Sequence, residues 1–167
     1  TDFRWVGELQ AIAARSPALT LGGLFLSEAV AEYKDRKFRA EVGNGRAQRF
    51  AVGDIEMDDL RARNLSLSIP NGGVDISAPT GTAGSLVSKG YRLDGLAARN
   101  LRVKNGGGET TVEGTNITSR TAAVGKNKAT GVNVRELKLK NKNHATDISV
   151  TDLRADRVDS NGARIDG

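Results

Sequence analysis

The chain has 167 residues, 38% of them apolar, with no cysteine, one histidine and a formal net charge of +5. That is enough apolar material for a core, but the missing cysteines exclude disulfides and thiolate metal sites, and no apolar run approaches the roughly 18 residues of a membrane-spanning helix. The positive charge is modest and does not by itself mark a nucleic-acid binder.

Residues 1–17 stand apart. Trp5, Leu9 and Ile12 fall on one helical face and Ser16-Pro17 ends the segment, so the pattern predicts an amphipathic cap helix over 1–17 ahead of a repeat domain over 18–167. The first residue is Thr1, which leads us to expect a processed or trimmed chain.

From Leu24 onward the chain matches itself at a shift of 36 residues: Leu24, Leu60, Leu96 and Val132 coincide, as do Ala40, Ile76, Val112 and Ile148. A shorter motif lies inside this repeat: a small or apolar residue, two polar or small ones, then a larger apolar residue. Ala62-Arg63-Asn64-Leu65, Ala83-Gly84-Ser85-Leu86 and Ala98-Arg99-Asn100-Leu101 are examples. There are eight copies, spaced alternately 21 and 15 residues apart and averaging 18. Around them apolar residues alternate, as in Leu65-x-Leu67-x-Ile69, the period of a strand.

The two-residue gap in each motif reads as a corner between short strands. The expected fold is therefore mainly β: a parallel β-solenoid of about eight coils, two per 36-residue repeat, with the N-terminal α-helical cap. The alternative is an antiparallel β-meander in which the glycine-rich stretches, such as Asn105-Gly106-Gly107-Gly108, close hairpins. The repeat runs to Val158 and no capping segment follows, so further coils, another domain or another subunit are expected beyond it. All seven aromatic residues lie at or before Tyr91, which leaves the second half to pack with aliphatic side chains alone.

Catalytic signatures are missing. His144 sits in an expected loop without a nucleophile-elbow motif, and no phosphate-binding loop, dinucleotide fingerprint or zinc motif occurs, so no enzyme activity, cofactor or metal is expected. Two charged groups merit attention. Asp54, Glu56 and Asp58 would share one face of a strand opposite Ile55 and Met57, with Asp59 beside them; they could hold calcium or serve as the carboxylates of a sugar-cleaving β-helix, although a solvated face is the plainer reading. Lys126, Lys128, Arg135, Lys138, Lys140 and Lys142 form a basic stretch opposed only by Glu136. It could meet an anionic glycan or lipid headgroups, or simply keep exposed strands from aggregating. No aromatic is interleaved there, which argues against stacking on nucleic-acid bases.

In its periodicity and its Ala-x-Asn-Leu motif, the segment 19–165 resembles the β-solenoid stalks and passenger segments of bacterial surface, secreted or injection-system-associated proteins. The resemblance implies a rigid, non-enzymatic scaffold or spacer within a larger bacterial protein, secreted or at the cell surface, that meets a protein partner or assembly. Two other functions stay open: a carbohydrate-active β-helix enzyme using Asp54 to Asp59, and an antiparallel β-groove that carries lipid.

Overall fold

The computed structural model describes residues 2–15, 20–35, 37–70, 73–142, 145–160 and 163–166; the side chains of Ile12, Ala14, Arg15, Ala163 and Asp166 lie outside the description. Nearly all described residues are in strands and none is in a helix. The strands are β1 (Phe3–Arg15), β2 (Thr20–Lys34), β3 (Lys37–Val52), β4 (Ile55–Ile69), β5 (Val74–Ser88), β6 (Tyr91–Gly106), β7 (Glu109–Val124), β8 (Asn127–Lys142), β9 (Ala145–Arg154), β10 (Arg157–Ser160) and β11 (Ala163–Asp166). They form one sheet in chain order, each strand antiparallel to the one before, except that β9 and β10 lie in line along the same edge of β8.

This overturns the parallel solenoid in favour of the meander. The reason lies in the connections. Gly53-Asp54, Lys89-Gly90, Gly107-Gly108 and Gly125-Lys126 leave only two residues between strands, a hairpin length, whereas parallel strands need a long crossover. Gly107 and Gly108 both hold positive φ, 61° and 75°, as a type I′ turn requires. The alternation of 21 and 15 residues has the same origin. A chain that reverses at every turn meets off-centre features after unequal lengths. With the parallel coil gone, the resemblance to bacterial solenoid stalks loses its architectural basis.

The cap helix is overturned as well: residues 3–15 form β1, paired with β2 through Trp5 opposite Ala31 and Leu9 opposite Leu26. Trp5 and Leu9 are four apart, an even number, so they share a side of a strand as readily as a face of a helix. Phe3 continues that side and stacks on Tyr33 at 5.9 Å. An isolated helix of this length is marginal in water, whereas the strand is held along its length by pairing with β2.

The corners expected from the motif are present, but inside continuous strands. In β3, Ala47 and Phe50 are buried while Gln48 and Arg49 between them are exposed; Met57, Asp58, Asp59 and Leu60 of β4 lie opposite. A second corner falls at Arg63-Asn64, opposite Gly43-Asn44. The backbone turns there by left-handed residues: Gly23, Asp59, Gly95 and Gly131, 36 apart, form one corner, and Glu28, Asn64 and Asn100 the other. Such residues bend a strand and increase its twist.

Bent twice, the sheet rolls until its strand ends meet. Phe50, Val52, Ile55 and Met57 from the β3–β4 end pack in one cluster with Val103, Val112 and Leu139 from the opposite ends of β6, β7 and β8. Asn141 Nδ2 donates to Asp54 Oδ2 at 3.3 Å across this seam. Gly53 must be glycine on two counts: its φ is +56°, and a Cβ would lie 2.7 Å from Thr110 Oγ1. A second cluster, Ala98, Ile117, Val132 and Val134, fills the later part of the column. Phe3, Trp5 and Leu9 stay substantially exposed at one end, as do Val150, Leu153 and Ile165 at the other.

Candidate functional site

The four acidic candidates do not assemble into one site. Ile55 and Met57 are buried and Glu56 faces outward, as the alternation requires, but each carboxylate is engaged separately. Asp54 lies in the β3–β4 turn and accepts from Asn141. Glu56 pairs with Arg49 at 2.9 Å, and Asp58 accepts a hydrogen bond from Ser85 Oγ at 3.1 Å. Asp59 stands at a corner with φ 47° between Arg61 at 3.1 Å and Arg46 at 3.4 Å. The hydrogen bonds from Arg61, with the charges of both arginines, hold its carboxyl below the ordinary value. Among the described residues no group of three or more side chains could hold a metal ion. His144 lies outside the described residues.

The basic candidates are spread along β8. Lys126 is in the turn before it and Lys128 at its start, both exposed, whereas Lys138, Lys140 and Lys142 are near its far end. Those three face the acidic side chains of β7: Lys138 meets Glu113 at 2.6 Å, and Glu109 lies 3.1 Å from Lys140 and 3.9 Å from Lys142. Arg135 pairs with Asp152 at 2.8 Å. A run that is basic in sequence is thus largely neutralised across the strand pair, which a linear reading does not reveal.

A different surface concentrates charge. Between its two corners each long strand has a short straight stretch with one outward residue. These residues form a single cross-strand row: Phe25, Arg46, Arg61, Thr82, Ala97, Thr118, Asn133 and Arg154. The adjoining corner contributes Arg63, Thr80, Arg99 and Thr115, also cross-strand neighbours. Two open clefts lie along this side. One, of about 610 Å³, runs from Phe25 to Asn116 and is floored by Gly45, Ala62, Gly81 and Ala98; the other, of about 320 Å³, lies between Asn116 and Arg154.

The floor is shallow because its side chains turn inward and are small. Ala62 and Ala98 are buried, and a Cβ on Gly81 would strike Leu101. Arg46 and Arg61 share Asp59, but Arg63, Arg99 and Arg154 have no carboxylate partner among the described residues. Arg63, Arg99 and Arg135 are 36 residues apart, one on every second strand, and so stand roughly 10 Å from one another at ordinary strand spacing. A search for local runs of charge misses this ladder. Comparing the same position across repeats would have found it.

Comparison with protein-family models, with curated proteins and with solved structures finds no match.

Proposed function

We propose that the protein is a non-catalytic interaction module, a stiff rolled sheet that presents repeated rows of outward side chains to a partner. The observation that carries this reading is the regularity of the outer surface: the 36-residue repeat becomes rows of side chains at equivalent positions, at constant spacing along the column. Such rows suit recognition of an extended partner by many similar contacts.

The two other readings have less support. A sugar-cleaving pair needs one carboxylic acid held protonated, yet Asp59 is pushed toward ionisation and Glu56 is paired with an arginine. A lipid carrier needs an open apolar channel, yet Phe50, Val52, Ile55, Met57 and Leu86 fill the interior, each no more than 5% exposed.

The test combines native mass spectrometry of the purified chain with assays for products released from a panel of neutral and acidic polysaccharides. The expected result is the bare protein mass and no turnover. Stoichiometric lipid would overturn the reading in favour of a carrier. Turnover that disappears in Glu56→Gln would overturn it in favour of an enzyme.

A further inference from the structure

We infer that the outer row between the two corners, from Phe25 to Arg154, is a binding trough for an acidic polysaccharide, a glycan carrying sulfate or carboxylate groups along its length. The inference rests on the interaction-module reading and names the partner of one face.

Charge is the first argument. Several cations on this molecule are neutralised by a carboxylate on the facing strand, as Arg102 is by Asp75 at 2.8 Å and Lys138 by Glu113 at 2.6 Å. Arg63, Arg99 and Arg154 face the trough without such a partner among the described residues. The nearby carboxylates Asp59 and Asp152 are already occupied by Arg46, Arg61 and Arg135, so they do not repel an incoming anion at full strength. Guanidinium groups bind sulfate and carboxylate with two parallel hydrogen bonds, which makes them suited to such groups.

Shape and lining are the second. The trough crosses the strands, so a ligand lying in it meets a new repeat every two strands, roughly 10 Å. A regular linear polymer can keep register with such a ladder, and weak contacts then add along its length. The outward residues Thr82, Ala97 and Thr118 are small and leave the floor open, while the Thr82 and Thr118 hydroxyls and the amides of Asn116 and Asn133 offer donors and acceptors to sugar hydroxyls.

The same lining disfavours nucleic acid. A single strand would look for a series of aromatic platforms, and Phe25 is the one aromatic residue in the row. A duplex is read by an element that enters its groove, and a recessed trough does not.

The test measures binding of the whole chain to dextran sulfate, polygalacturonate and a homothymidylate strand by titration calorimetry at two salt concentrations. Three variants accompany the wild type. Arg63→Ser/Arg99→Ser places in the ladder the residue found at Ser27, the same position one repeat earlier. Thr82→Glu puts a negative charge on the exposed floor. Lys126→Gln/Lys128→Gln removes two exposed charges outside the trough, and melting curves report the folding of each.

The proposal expects one or both glycans to bind, with affinity reduced about tenfold or more by Arg63→Ser/Arg99→Ser and by Thr82→Glu but little changed by Lys126→Gln/Lys128→Gln. Dextran sulfate alone would mark sulfate as the recognised group; polygalacturonate alone would mark carboxylate. Equal losses in both charge-removal variants would overturn the trough in favour of diffuse attraction. Binding of homothymidylate in place of both glycans would overturn the ligand class. No binding of either glycan would overturn the inference and leave the interaction-module reading in place, since that reading fails on turnover or bound lipid.

Discussion

Residues other than glycine that adopt left-handed backbone concentrate at the corners: Asp59, Asn64, Asn100, Asn116 and Asp152 are all Asp or Asn, the side chains that tolerate it best. Glu28, φ 54°, is the exception, and its repeat equivalents are Asn64 and Asn100. Glu28→Asn is therefore expected to stabilise the fold by about 0.5–1 kcal/mol, seen as a higher midpoint in urea. Ser88 offers a second residue-scale test. Its hydroxyl is buried without a hydrogen-bond partner among the described residues, so Ser88→Ala should be neutral or stabilising by up to about 1 kcal/mol. Acid sensitivity belongs to this scale too. Hydrogen bonds from Arg61, Arg102 and Arg92 lower the pKa values of Asp59, Asp75 and Asp94 from 3.8. A carboxyl with a lower pKa in the folded state contributes its full stabilisation above the unfolded value and loses it as the pH falls through the folded one. The melting temperature should thus decline below about pH 4, and the decline should be shallower in Asp75→Asn.

Corners and seam are features of the elements. Gly131 has φ +61° and a Cβ there would collide with Asp156 on the facing corner. Gly131→Ala is expected to cost about 1–3 kcal/mol in denaturant unfolding, more than the same change at Gly90, where nothing lies within 4 Å of the added methyl. At the seam, Leu139 is 2% exposed and belongs to the cluster that joins β3–β4 to β6–β8. Leu139→Ala should cost about 2–5 kcal/mol by the same measurement. A loss well under 1 kcal/mol would mean that the rolled sheet does not depend on this closure.

Over the whole molecule, two kinds of contact compete. Neighbouring strands make a quasi-one-dimensional stack, in which added repeats raise stability. The seam instead ties together residues far apart in sequence, such as Asp54 and Asn141. Inserting a second copy of residues 91–126 after position 126 distinguishes the two. A folded all-β chain with a higher melting temperature is expected if stacking dominates; a lower one would show that the seam restricts the number of strands.

Much was legible in the chain alone. The repeat, its strand periodicity and the corner motif follow from which side chains can be buried together, and burial leaves a periodic trace in sequence. Asn64 and Asn100 mark corners for the same local reason: few other side chains accept that backbone. The direction of successive strands left a weaker trace, since parallel and antiparallel rows bury the same alternating residues; only the two-residue turns, such as Gly53-Asp54, decide it. The charges were the least legible. Lys138 and Lys140 read as a bare basic patch until β7 places Glu113 and Glu109 against them, while Arg63 and Arg99, unremarkable in sequence, come to line one trough. Whether a charge is free depends on its neighbour across the strands, and that neighbour is assigned by the roll and register of the sheet.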